Sequence, residues 1–210
     1  MARRWNVIHP LPLDPYSEAL MSTTVEHDLA GGARLRVAVL SKSIARISVA
    51  PGGRFADTGL NRYGFIVDPC APDLKVASAK RKTGFRLATE VMEIACDTQT
   101  GEITAGPLGQ QPCFRHFSTE FEAKAATVKL AAAADEDWAG FGDQTRERLF
   151  HRGHVADLYV RNVKSYIPVP FFMSTRGVGV LVNTTHHIVF DMAKTHPGIV
   201  SWRDRRGVVD

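Results

Sequence analysis

The stretch Ile167-Pro168-Val169-Pro170-Phe171-Phe172-Met173-Ser174-Thr175-Arg176-Gly177-Val178-Gly179-Val180 decides the fold class. Each residue before a proline is pushed out of the helical region, so two X-Pro steps keep 167–173 extended. Arg176-Gly177 then reads as a turn, and 178–182 as a short buried strand, with another at 188–190. The same β pattern recurs upstream. Leu35, Val37 and Val39 alternate with Arg34, Arg36 and Ala38, the period-two signature of a strand. After a polar break at 41–43, Ile44, Arg46 and Ser48 alternate with Ala45, Ile47 and Val49. Pro51-Gly52-Gly53 ends that strand, because proline lacks a donor and glycine admits positive φ.

Between these ends the signals are mixed. Residues 54–82 read as connecting loops with one or two short strands. Residues 85–96, the turn Asp97-Thr98-Gln99-Thr100-Gly101 and the run from Ile103 make the clearest hairpin. Its Asp starts the turn through its side chain and its Gly takes the left-handed position. Residues 123–134 read two ways: their alanines favour helix, whereas Thr127, Val128 and Leu130 fit a strand, the reading preferred here. Gly140-Phe141-Gly142 and Gly153 are expected to break the chain, and 206–210 reads as a turn entering a strand. Many short strands with frequent turns predict an all-β antiparallel sandwich. It is expected over 33–210, with 1–32 as an N-terminal extension and first strand region.

Composition narrows the function classes. The 210 residues are 44% hydrophobic and 23% charged, as in an ordinary globular chain long enough to bury a core without disulfides. Cys70, Cys96 and Cys113 form no paired motif and read as reduced thiols, which suggests a cytoplasmic location. No apolar run reaches the roughly 18 residues of a membrane helix, and the first residues lack the apolar core of a signal peptide. The net charge of +4 lies in short runs, Lys80-Arg81-Lys82 and Arg203 with Arg205-Arg206. Neither run is interleaved with stacking aromatics, so both read as solvated loops and no nucleic acid partner is expected.

Chemistry-bearing residues are present but scattered. His151 and His154 have HxxH spacing without a second ligand pair, so no metal is expected. Gly177-Val178-Gly179 lacks the third glycine and the helix of a dinucleotide fingerprint, and no cofactor is expected. Asp135-Glu136-Asp137 reads as a solvated loop. Asp143, Glu147, Asp157 and Asp191 carry no spacing that assigns two of them to opposite faces of a glycosidic bond.

Four ordered blocks nevertheless resemble a known family. They are Asp137-Trp138-Ala139-Gly140-Phe141-Gly142-Asp143-Gln144, His151-Arg152-Gly153-His154-Val155-Ala156-Asp157, the 167–180 stretch, and Asn183-Thr184-Thr185 with Phe190-Asp191. The order resembles the "GxGE/DQ", "RG", "PFFxSxxGxG" and "FD" blocks in the N-terminal domain of glycoside hydrolase family 31, which contains α-glucosidases and α-xylosidases. The resemblance runs from about Ala33 to the end. It implies a galactose-mutarotase-like sandwich preceding a catalytic (β/α)8 barrel of the same polypeptide.

In that family both catalytic aspartates lie in the barrel, the nucleophile in a "WxDMNE"-like run. Asp191-Met192-Ala193 lacks its Trp and Glu, so no catalytic residue is expected in this chain. The resemblance also places a loop near the barrel mouth, where a family Asp contacts the sugar beyond the scissile bond. That position falls at Asn162, preceded by Arg161. Asn keeps an acceptor but loses the charge, so either a substrate-binding role for Arg161 and Asn162 or an ordinary loop pair remains open. The implied partners are an oligosaccharide or α-glycoside substrate and the barrel. A stand-alone carbohydrate-binding sandwich is the alternative.

Overall fold

The computed structural model describes residues 24–55, 58–66, 73–123, 125–143, 148–159, 167–207 and 209–210. The alternating segments near the N-terminus form β1 (Thr24–Asp28), β2 (Ala33–Ser41) and β3 (Ile44–Pro51). A single helical turn, α1 (Gly59–Arg62), follows. Then come β4 (Ala77–Arg81), β5 (Gly84–Ala88), β6 (Met92–Asp97), β7 (Ile103–Pro107), β8 (Phe114–Glu122) and β9 (Ala125–Ala131). The last part contains β10 (Trp138–Asp143), β11 (His154–Leu158), β12 (Ile167–Ser174), β13 (Gly179–Leu181), β14 (Ile188–Met192) and β15 (Ile199–Asp204).

All pairings are antiparallel. A nine-stranded sheet, β11-β14-β15-β9-β8-β7-β6-β5-β4, forms one layer. Two three-stranded sheets, β1-β2-β3 and β10-β12-β13, form the other. Leu35, Val37, Val39 and Val49 pack on Phe85, Leu87, Ile94 and Ile103 in one core cluster. Trp138, Phe141 and Phe172 pack on Phe190, Val200 and Trp202 in a second. Residues 209–210 stitch the two small sheets together: Val49 donates its N–H to the Val209 carbonyl at 3.0 Å, and Asn183 donates to the Asp210 carbonyl at 2.8 Å. Val209 packs against both clusters.

Several readings need correction. Residues 85–96 are two strands, not one arm of a hairpin. Thr89 Oγ1 accepts the Val91 and Met92 N–H groups and turns the chain between them. Gly140-Phe141-Gly142 does not break the chain but lies inside β10, at a bulge where the β10–β12 register shifts. The strand within 178–182 is an exposed edge rather than buried, with Leu181 42% exposed. Lys80 and Arg81 belong to β4 at the rim of the large sheet, where charged side chains blunt an open edge. Arg203 belongs to β15. Strand formation by 125–131 follows the preferred reading, since Val128 and Leu130 reach the core. The hairpin turn is as read: Asp97 Oδ1 accepts the Gln99 and Thr100 N–H groups, and Gly101 has φ +74°.

Candidate functional site

The four resembling blocks meet in space around the second core cluster. In the first, Phe141 adopts φ +69° and is fully buried. Its ring meets His151 edge-on at 4.9 Å and tilts against Phe190 at 4.8 Å and Phe172 at 5.7 Å. The flanking glycines make this conformation reachable. A Cβ on Gly140 would stand 2.4 Å from the Phe171 carbonyl oxygen, and one on Gly142 would stand 2.1 Å from that of Ile167. Both have positive φ, at +144° and +73°. The spacing of two glycines around an aromatic is therefore a steric demand of the bulge.

The charged members of the blocks serve as clamps. Asp137 Oδ1 accepts the Trp138 N–H at 2.7 Å and the Arg152 N–H at 2.9 Å. Arg152 donates to the carbonyls of Ala133, Glu136 and Pro197 and lies over the Trp138 ring. Glu136 is buried rather than solvated, against the sequence reading. Its carboxylate accepts the Ala133 N–H at 3.0 Å and the Ser174 hydroxyl. Gly153 donates to Met192 at 2.7 Å with φ +77°. Asp191 accepts the Lys194 N–H at 2.7 Å and the Thr195 hydroxyl at 2.5 Å. Partial burial works against its charged form, but these hydrogen bonds outweigh it and hold the carboxyl below its usual range.

A second polar cluster lies where the small sheets join. The Asp210 carboxylate accepts Arg46 Nε at 2.7 Å, Ser48 Oγ at 2.6 Å and Asn183 Nδ2 at 2.7 Å. Arg46 and Asn183 also donate to Asn61 Oδ1, at 3.0 and 2.6 Å. These hydrogen bonds cross the seam, while the buried Asn183 Oδ1 accepts none among the described residues. Thr184 Oγ1 donates to the fully buried Asp204 at 2.6 Å, which ties the Asn183-Thr184 block to β15.

Arg161 and Asn162, together with Cys70, Gln144 and Glu147, lie outside the described residues. The described residues nearest to Arg161 and Asn162 in sequence end at Tyr159. There Asp157 Oδ1 and His187 Nε2 are 2.5 Å apart, and the Tyr159 ring tilts against His187 at 5.1 Å. Tyr159 is 51% exposed. Single-sequence reading missed this grouping, because it arises from the β11–β14 register, which pairs Leu158 with Ile188. Imidazole, carboxylate and phenol are groups that hydrogen-bond and stack on sugars.

Among the described residues, several carboxylates are committed to basic partners. Glu122 is held bidentate by Arg203 at 2.5 and 2.7 Å, which keeps its carboxyl below the usual range. Asp135 is similarly paired with Arg176 at 2.8 Å. An open concavity of about 890 Å³ crosses the outer face of the large sheet over Thr127, Asp191, Ser201 and Arg203. Its aromatic member, Trp202, is only 7% exposed and faces the core. His151 is half-buried against Phe141, and burial lowers its pKa. Among the described residues no three His, Cys, Asp or Glu side chains gather at metal-holding distance, and no helix is long and apolar enough to cross a membrane.

Comparisons with known proteins agree with this arrangement. A search of curated proteins returns no match. Among solved structures, a Flavobacterium johnsoniae GH31 dextranase complexed with glucose superposes with a TM-score of 0.78 at 16% identity, covering 89% of this chain and 24% of that one. A GH31 α-xylosidase from Xanthomonas citri gives 0.68 at 21% identity, covering 80% and 19%. The cycloalternan-forming enzyme of Listeria monocytogenes, in complex with a pentasaccharide substrate, gives 0.73 at 15% identity, covering 90% and 19%. The chain thus spans about a quarter or less of the length of these structures. At these identities the likeness shows the fold. The family model described as the glycosyl hydrolase 31 N-terminal galactose mutarotase-like domain matches residues 34–191. That span contains every block that builds the second core, and the chain belongs to this family.

Proposed function

We propose that this chain is the N-terminal, non-catalytic sandwich of an α-glycosidase acting on terminal α-linked glucosides or xylosides. The retaining reaction needs a nucleophile and an acid/base carboxylate about 5–5.5 Å apart. In this reading both come from a (β/α)8 barrel of the same polypeptide, against which the sandwich packs. The observation that carries the reading is the role of the family blocks. Most of their described residues go into a bulge, clamps and a buried aromatic cluster, which supports reading the match over 34–191 as one of scaffold. The dextranase and α-xylosidase among the similar structures support an α-glycoside as the substrate class. A reducing cytoplasmic location is part of the proposal and is in keeping with free thiols at Cys96 and Cys113.

The 161–162 loop is the part of this chain proposed to touch substrate, at the subsite for the leaving sugar. Asp157 and Tyr159, grouped with His187, precede it in sequence. Calorimetric titration of the 210-residue chain with maltose and isomaltose tests the division of labour. The expected result is no binding tighter than about 1 mM. Micromolar binding would instead make the chain a stand-alone carbohydrate-binding sandwich. In the larger enzyme, Asn162→Ala removes one neutral hydrogen bond, worth about 0.5–1.5 kcal/mol. The kcat/KM for disaccharides is expected to fall roughly 2- to 13-fold, with a smaller loss for aryl glycosides. Equal kinetics on both substrates would reduce the loop to a structural connection.

A further inference from the structure

One imidazole stands in the core-facing row that crosses the large sheet. Register aligns Phe85, Cys96, Ile103, His116, Leu130 and Val200 on adjacent strands from β5 to β15. All six are buried. Phe85, Cys96 and Ile103 belong to the first core cluster, Leu130 and Val200 to the second. His116 lies between them, at the bulge where the β8–β9 register shifts. Its Nδ1 faces the Gly101 carbonyl oxygen at 3.1 Å, and its Nε2 faces Thr119 Oγ1 at 2.8 Å. A carbonyl only accepts, so Nδ1 carries the proton and Nε2 accepts from the Thr119 hydroxyl. The neutral ring thereby ties the 97–101 turn to the bulge of β8.

We propose that His116 is a proton-operated catch between the two core clusters, which releases the 97–101 turn as pH falls. A second proton goes on Nε2. It sets a donor against the Thr119 hydroxyl hydrogen and puts a charge into a row whose other members carry none. In the open form the ring meets water and keeps its ordinary value near 6.5, so protons favour opening below that pH. The charges around the ring are already committed. Glu102, just before β7, favours the imidazolium but is held by Arg115 of β8 at 2.7 and 3.2 Å. Asp97 in the turn accepts the Thr100 N–H and the Thr83 hydroxyl, which keep its carboxyl below the usual range. Glu120 of β8 and Lys129 of β9 pair with each other. Beyond Leu130, Glu136 is bonded to Ser174. His27 of β1 stacks on Phe85 at one end of the row, and His154 closes the other end across Met192.

Cys96 reports the state of the catch, because it is 4% exposed and immediately precedes the turn. Burial, with the neighbouring Asp97 charge, pushes its thiol up to about 12, so it reacts only on opening. The 210-residue chain is treated with 4,4′-dithiodipyridine between pH 7 and 5, and labelling of the Cys96 peptide is followed by mass spectrometry. Each rate is divided by that of Cys96 in the urea-unfolded chain at the same pH. The ratio is expected to rise about 5- to 25-fold, the upper figure being the most that one group of ordinary value 6.5 allows. His116→Gln, whose amide still donates and accepts, is expected to flatten the ratio, and His27→Gln and His154→Gln to leave its rise intact. A flat ratio in the parent chain, or a rise that persists in folded His116→Gln, overturns the proposal. Two results decide it without any variant. A rise steeper than tenfold per pH unit needs more than one proton and overturns it. So does a His116 ring that, followed by NMR in the folded chain, takes up its proton at or above the ordinary value.

Discussion

The two small sheets cover the same large sheet side by side, yet they are built from different residues. Beneath β1-β2-β3 the core is mainly aliphatic, with Leu35, Val37, Val39 and Val49 over Leu87, Ile94 and Ile103 beside the buried Phe85 ring. Beneath β10-β12-β13 it is aromatic, with Trp138, Phe141 and Phe172 over Phe190 and Trp202. Aliphatic cores tolerate exchange among Val, Leu and Ile at conserved volume. Rings meeting edge-on or tilted, fed by a glycine-flanked bulge, need particular residue types at particular positions. The difference explains why the family resemblance is concentrated in 137–191, while the first sheet shows only an alternating pattern.

Glycine substitutions should separate the bulge from an open turn most, since the aliphatic half has its own closely approached glycine at Gly84. Gly142→Ala drives a Cβ into the Ile167 carbonyl at positive φ, and a loss on the order of 4 kcal/mol is expected by urea denaturation. Gly101→Ala, with φ +74° but its nearest neighbour at 3.9 Å, is expected to cost only about 1–2 kcal/mol. Equal losses would erase the contrast.

The next effect concerns the buried carboxylate beside the aromatic core. Glu136→Ala leaves the Ala133 N–H and the Ser174 hydroxyl without their acceptor, and a loss of about 1–3 kcal/mol is expected. A variant as stable as the parent protein would mean that these groups find other partners.

A smaller effect is expected from pH. His116 is 6% exposed and sits between the Gly101 carbonyl at 3.1 Å and Thr119 Oγ1 at 2.8 Å. Burial holds its pKa below the ordinary histidine value. The unfolded chain therefore binds the proton more readily, and stability is lost as pH falls below about 6.5 toward the lowered value. His151 acts in the same direction but is less buried. His116→Gln is expected to flatten the melting temperature between pH 7 and 5 more than His151→Gln does. The reverse order would move the acid-sensitive point into the aromatic half.

The smallest effect is expected on the outer face of the first sheet. Arg36→Ala removes an exposed pair with Glu26, worth at most about 1 kcal/mol. A larger loss would mean that this face is more than solvated surface; Arg36 also lies over the Phe55 ring at 3.8 Å.

Much of the fold was legible because burial imposes a period. Strands β2 and β3 and the turn at 97–101 announced themselves by alternation and by Asp and Gly chemistry. β8 and β15 did not, because their core residues are diluted by outward Arg, Ser and Glu. The Gly-Phe-Gly segment was misread because a bulge and a chain break share the same residues. Whether such glycines sit inside a strand depends on the partner strand, whose carbonyls only the fold supplies. The candidate site was less legible for the same reason. Glu136 is buried by β12, more than thirty residues away, and Asp157, His187 and Tyr159 meet only through the β11–β14 pairing.

The claim on which the rest depends is that the family blocks in this chain build scaffold, while the chemistry lies elsewhere in the polypeptide. Turnover of p-nitrophenyl α-glucoside and p-nitrophenyl α-xyloside tests it most directly, measured on the folded 210-residue chain and on the larger polypeptide that contains it. The expected result is no turnover above buffer for the chain and clear turnover for the larger polypeptide. Turnover that follows the chain through purification, and is lost on replacing Asp157 or Asp191 by Asn in a variant that still folds, would contradict it.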